Sequence, residues 1–193
     1  MTFPDRVKLP FAFDAAALAH DLEGLAGDAW TAHFVKQNYD GDWSVLPLRG
    51  PASAKHPIQA IYSDPSTTDF ADTALMARCP NIAAALTAFR CALHAVRLMR
   101  LTPGSVIKEH SDLDLDADEG MARLHVPVTT NPGVVFEVNR VPIAMAPGSV
   151  WYLRLADPHR VANNGATDRV HLVIDAVVDD WLRGMLQVPL AGA

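Results

Sequence analysis

Between His94 and Val178 the chain is a succession of short apolar stretches, each closed by turn-forming residues. The breaks fall at Pro103-Gly104, Asn131-Pro132-Gly133, Asn139-Arg140 and Pro147-Gly148-Ser149. Between them the spacing predicts strands over residues 95–101, 106–110, 121–128, 134–138, 141–145, 150–155 and 169–178. Stretches this short are best buried as antiparallel strands, in a sandwich or a barrel. About seven or eight such strands suit a cupin-like jelly roll, a double-stranded β-helix whose two sheets enclose a pocket.

The first half reads differently. Asp14 is placed to cap a helix over 15–25, with Gly24 and Gly27 at its end. Tyr39-Asp40-Gly41-Asp42-Trp43 is a turn leading into a strand over 44–48, which Arg49-Gly50-Pro51 stops. Residues 51–72 read as a long polar loop, a lid or a plain connection. Pro80 opens a second helix over 81–91, whose Ile82, Ala85, Leu86 and Phe89 share one face. A short helix over 181–186 is expected at the end. The expectation is therefore a mainly β fold with flanking helices, one domain over 1–193. Its helical and loop part covers 1–93 and its β-helix core 94–178.

Composition narrows the function classes. With 50% hydrophobic residues the chain has material for a real core, so disorder is not indicated. A net charge of −6 argues against a nucleic-acid surface, while leaving room for a locally basic pocket. No basic leader with an apolar core and no membrane-spanning run is found, which makes the cytoplasm the expected location. Cys79 and Cys91 are too few for a disulfide framework and read as small buried hydrophobes.

The residues that point to chemistry are His110-Ser111-Asp112, Pro158-His159 and Arg169. Side chains alternate along a strand, so His110 and Asp112 project to the same side. An imidazole and a carboxylate together, joined by a distant second imidazole, form the facial triad of non-haem Fe(II) sites. Arg169 opens the last strand and is suited to hold a carboxylate by a bidentate pair. On the strand over 121–128, Arg123 and His125 share one face and Leu124, Val126 and Val128 the other. Either set is a candidate for the core, and the last strand carries the same ambiguity. His125 is an alternative third ligand to Asp112; the carboxylate is preferred because it lowers the charge at the metal. Arg97 and Arg100 lie on opposite faces, so at most one looks into the barrel, and Arg100 is favoured. Trp43, Arg49 and Trp151 are candidates for the substrate side. The acidic run from Asp112 imitates a calcium loop, but Ala117 and Arg123 stand where glycine and glutamate are needed.

The blocks Val96-Arg97-Leu98-Met99-Arg100-Leu101 with the run on to His110-Ser111-Asp112, Arg123-Leu124-His125-Val126-Pro127, Gly148-Ser149-Val150-Trp151-Tyr152-Leu153, Pro158-His159-Arg160-Val161 and Arg169-Val170-His171-Leu172-Val173-Ile174-Asp175 resemble the aspartyl/asparaginyl β-hydroxylase family. They are similar also to microbial free-proline hydroxylases. The resemblance implies a double-stranded β-helix that binds Fe(II) through His110, Asp112 and His159, with 2-oxoglutarate and O2 as co-substrates. It implies the far carboxylate of 2-oxoglutarate on Arg169, His125 near the co-substrate and Arg123 at a substrate carboxylate, with Arg100 a further candidate there. The expected partner is a small molecule or peptide bearing a carboxylate, with no nucleic acid and no membrane. Two rivals belong to other classes: a cupin-like metal enzyme that needs no 2-oxo acid, and a non-catalytic module that binds a small acid.

Overall fold

The computed structural model describes residues 2–61 and 67–187. β1 (Arg6–Ala12) is followed by α1 (Ala15–Glu23), the two-residue strands β2 (Thr31–Ala32) and β3 (Tyr39–Asp40), and β4 (Trp43–Pro51). α2 (Pro57–Ile61), β5 (Phe70–Asp72) and α3 (Pro80–Leu86) complete the first half. Then come β6 (Leu93–Leu101), β7 (Val106–His110), β8 (Met121–Thr129), β9 (Val134–Val138) and β10 (Val141–Pro142). β11 (Ser149–Leu153), β12 (His159–Asn163), β13 (Arg169–Val177) and α4 (Asp180–Leu186) end the fold.

The strands form two antiparallel sheets. An eight-stranded sheet runs β1-β11-β8-β13-β6-β4-β2, with β5 paired to β4; a five-stranded sheet runs β10-β9-β12-β7-β3. This is the jelly roll expected from the strand spacing. Its larger sheet is covered on both sides. Leu124, Val126 and Val128 of β8, with Val170, Leu172 and Ile174 of β13, pack beneath Leu18 of α1, Ile82 of α3 and Leu182 of α4. The alternate residues, Arg123 and His125 with Arg169, His171 and Asp175, are buried too, on the face turned toward the smaller sheet. The choice left open by alternation is thus resolved by both faces being interior. Burying a polar set is costly unless it is paired or awaits a ligand. The inner face is therefore where function is sought.

Local chemistry explains several boundaries. Asp14 caps α1 by accepting from the amides of Ala16 at 2.9 Å and Ala17 at 3.1 Å. α3 stops at Leu86 rather than reaching residue 91. Its last turn tightens, with Thr87, Ala88 and Phe89 each bonding three residues back, which frees Phe89 to pack against Phe11 and Phe13. β4 continues through Arg49-Gly50-Pro51 because β5 pairs with that segment. The segment over 51–72 is thus not all loop, since α2 and β5 lie within it. Residues 62–66 of that segment, and with them part of the expected lid, lie outside the described residues. The strand expected over 141–145 ends at Pro142, which has no amide proton to extend the ladder. Gly148, at φ +77°, would place a Cβ 2.2 Å from the Phe13 carbonyl, so only glycine closes this turn against the chain leaving β1. Among the described residues no helix is long and apolar enough to cross a membrane.

Candidate metal centre and its cavity

β7 and β12 are neighbours in the smaller sheet, and their ladder sets His110 opposite His159. The ring centroids are 4.3 Å apart. Each Nδ1 faces a backbone carbonyl two residues back, Lys108 at 2.7 Å for His110 and Asp157 at 3.1 Å for His159. A carbonyl only accepts, so both Nδ1 atoms carry the proton and both Nε2 atoms keep a lone pair. Beyond β7 the Asp112 amide donates to the Leu155 carbonyl at 2.8 Å. Asp112 Oδ1 then lies 3.7 Å from His110 Nε2. One ligand atom from each of His110, Asp112 and His159 lies within 4.8 Å of the others. Two oriented imidazoles and a carboxylate at this spacing fit a divalent metal with open positions, Fe(II) among them. Burial and the neighbouring His110 hold His159 below its ordinary range, which keeps its nitrogen available. His125, the alternative third ligand, stands outside this group.

The three residues open onto a cavity of about 560 Å³ between the sheets. Arg169, 2% exposed, lies at its inner wall, its guanidinium 5.5 Å above the Phe136 ring. Nη2 donates to His171 Nδ1 at 2.7 Å, and Nε is buried with no partner. Among the described residues no carboxylate pairs with Arg169, and burial alone pulls its pKa down to about 9. Beside it His125 is buried with neither ring nitrogen hydrogen-bonded. Burial, then Arg169 and Arg123, push its pKa well below the usual histidine range. A cation without a counter-ion next to an imidazole without a partner is a cradle for a missing anion.

Nearer the metal position, Arg123 is held by Asp175, Nε to Oδ1 at 2.7 Å and Nη2 to Oδ2 at 3.0 Å. Burial works against the Arg123 charge, but Asp175 more than restores it and the pKa is raised. Arg97 reaches the same Asp175 from β6; burial lowers its pKa to about 10, only partly offset by the carboxylate. Here the expectation for Arg100 is corrected. Arg97 takes the cavity face, while Arg100 points the other way, 4.5 Å from the Trp30 ring and bonded to Ser44 Oγ at 3.2 Å. Alternation separates the two arginines but does not say which is inside; the pairing of β6 with β13, which brings Asp175 within reach of Arg97, decides it.

Trp43 lines the cavity, whereas Arg49 ties β4 to Asp72 and to the carbonyls of Phe70 and Leu93. The Trp151 indole donates to Ser149 Oγ at 3.0 Å, away from the cavity. Sequence reasoning missed His33, stacked on Trp43 with centroids 3.6 Å apart and planes within 8°. Burial, with Arg97 and Arg123 nearby, drops its pKa to about 3, so the ring is a neutral aromatic wall. His33 lies in an irregular stretch between two very short strands, where no periodicity marks it.

Comparison with known proteins agrees with this geometry. The sequence profile of the aspartyl/asparaginyl beta-hydroxylase family matches residues 14–178. An L-proline cis-4-hydroxylase of Rhizobium meliloti (strain 1021) is 30% identical over 185 residues, 91% of this chain and 63% of that protein. The chain thus spans less than two thirds of that relative's length. Among solved structures, a Pseudomonas putida prolyl-4-hydroxylase superposes with a TM-score of 0.56 at 13% identity, covering 91% of this chain and 93% of the other. HygX from Streptomyces hygroscopicus, with nickel and 2-oxoglutarate bound, gives 0.54 at 13% identity, covering 91% and 83%. At these identities the structural likenesses establish the fold.

Proposed function

We propose that this chain, which belongs to the aspartyl/asparaginyl β-hydroxylase family, is an Fe(II)- and 2-oxoglutarate-dependent hydroxylase of a small carboxylate-bearing substrate, with residues 1–193 acting as one oxygenase domain. His110, Asp112 and His159 hold the metal. Arg169 and His125 receive 2-oxoglutarate, and Arg123 presents positive charge to the substrate. The bound metal supplies activation of O2, coupled to oxidative decarboxylation of the 2-oxo acid. The protein's own work is to bind, orient and exclude water. Arg169 neutralises the far carboxylate at a depth where water cannot compete. The neutral stack of His33 on Trp43 gives the substrate a flat apolar wall to lie against.

The carrying observation is the inner pair: a buried Arg169 with no carboxylate partner beside His125 with no hydrogen bond. A metal enzyme that uses no 2-oxo acid leaves both without a ligand. The named activity of the relative from Rhizobium meliloti makes a free amino acid the first substrate class to test, L-proline before others.

The test is an anaerobic titration of Fe(II)-loaded protein with 2-oxoglutarate, following the metal-to-ligand absorption band, and then succinate release across an amino-acid library. A saturable band and substrate-coupled succinate support the reading. No band at millimolar 2-oxoglutarate, with Fe(II) bound, overturns it.

A further inference from the structure

Asp175 is 1% exposed in the middle of the larger sheet, and the chemistry above gives it no direct contact with metal, co-substrate or substrate. On β13 it pairs with Arg123 of β8. It grips that guanidinium at two points and takes Arg97 on the other side. With Nε and Nη2 committed in this way, Arg123 turns Nη1 toward Asp112, 3.5 Å from Oδ2. The other oxygen of Asp112, Oδ1, is the one near His110 Nε2. The four side chains alternate in charge, Arg97, Asp175, Arg123, Asp112, and run from the sheet interior to the metal position.

We propose that Asp175 is a positioning residue for the metal centre: by gripping Arg123 it keeps one oxygen of Asp112 on the guanidinium and leaves the other for the metal. This rests on the metal reading above and deepens it. The Asp112 side chain is 36% exposed, and without such a hold its carboxylate is free to rotate. With one oxygen kept free in this way, Asp112 would join the two imidazoles as a ligand to a divalent metal and leave positions for the co-substrates. A carboxylate free to rotate would offer the ion no settled oxygen, and its hold on the metal would weaken. Partners one shell beyond the ligands typically change metal affinity or activity about 10–100-fold.

The test uses Co(II), which reports coordination through its visible spectrum, on the full chain under nitrogen. Asp175→Asn is nearly isosteric but gives up the charge that holds two guanidiniums. The expected result is Co(II) affinity lowered about 10–100-fold and a changed Co(II) band shape. Affinity for 2-oxoglutarate at saturating Co(II) should stay within about twofold, because Arg169 and His125 are untouched. Should Asp175→Asn not fold, Arg123→Gln carries the same expectation, since it leaves Asp175 paired with Arg97. Wild-type affinity and band shape in the folded variant would overturn the proposal; so would loss of 2-oxoglutarate affinity in step with Co(II), the mark of general disruption. Wild-type protein that binds no Co(II) removes the metal reading and this inference together, and is seen before any variant is made.

Discussion

Arg169 Nη2 lies 2.7 Å from His171 Nδ1, two residues along the same inner face of β13. A guanidinium only donates, so His171 accepts through Nδ1, carries its proton on Nε2 and is neutral. Burial, reinforced by Arg169, keeps it neutral by lowering its pKa well below the usual range. The imidazole thus aims the guanidinium without cancelling its charge. Arg169→Ala should raise the dissociation constant for 2-oxoglutarate about 100-fold, the scale of a lost charge-assisted bidentate pair. His171→Ala keeps the charge but loosens its aim, and about tenfold is expected. Anaerobic titration of the Fe(II) protein measures both; equal affinity in wild type and Arg169→Ala would remove Arg169 from the co-substrate site.

Three imidazoles with lowered pKa values, buried His125 and His171 and half-buried His33, make a prediction about acid. His33, His125 and His171 all have pKa values lowered chiefly by burial, His33 to about 3. In the unfolded chain each titrates near 6.5. Below about pH 6.5 the unfolded state therefore binds protons that the folded state refuses, and stability falls as pH falls. Above that pH neither state is protonated and the contribution is level. Each group costs up to roughly 1.4 kcal/mol per pH unit, so the three together set an upper limit of about 6 kcal/mol between pH 7 and 5. Thermal unfolding of the metal-free protein should show Tm dropping steeply over that interval, and His171→Asn should flatten the drop by about a third. A Tm independent of pH from 7 to 5 would contradict the burial of these rings as neutral groups.

The two arginines of β6 give a paired test. Arg97 lines the cavity and is held by Asp175, whereas Arg100 packs on Trp30 at the other face. Arg100→Ala should leave turnover within about twofold and cost about 1 kcal/mol, as expected of a half-buried contact near the surface. Arg97→Ala removes one of the two guanidiniums on Asp175, which Arg123 still pairs, and should cost about 1.5–3 kcal/mol, the scale of a hydrogen bond to a charged group. Chemical unfolding and coupled succinate release, run side by side, separate the two; a reversed order of effects would mean that the β6 register is wrong.

Much of the architecture was legible in the chain because turn chemistry punctuates it. Pro103-Gly104, Asn131-Pro132-Gly133 and Pro147-Gly148 cut the second half into strands whose length admits little but a jelly roll. His110 ends one of those strands and His159 begins β12, and the two meet because the ladder between β7 and β12 sets them opposite. Alternation was less informative where both faces of a sheet are buried. In β8 it separated Arg123 and His125 from Leu124, Val126 and Val128, but could not say that helices from the first half would cover the second set. Asp175 looked like one more polar residue in an alternating strand, since its partners come from β6 and β8, far away in sequence. β1, β2, β3, β5 and β12 were not expected as strands; β2, β3 and β5 are two or three residues long, and β1 and β12 acquire their ladders from distant partners.

Metal binding should be visible as stability before any activity is measured. His110, Asp112 and His159 come from two strands and a connecting turn of the smaller sheet, so an ion held by all three closes contacts that the unfolded chain lacks. A ligand at 100 times its dissociation constant adds about 2.7 kcal/mol. For a chain of this size that corresponds to a rise in Tm of roughly 5–10 °C. Adding Mn(II) or Fe(II) under nitrogen should produce the shift, and a chelator should reverse it. His110→Ala or His159→Ala should abolish the shift while leaving the metal-free Tm within about 3 °C, since among the described residues the hydrogen bond each ring makes is to a carbonyl two residues back. A shift of full size in either variant would place the ion elsewhere and separate it from the cavity that holds Arg169 and His125.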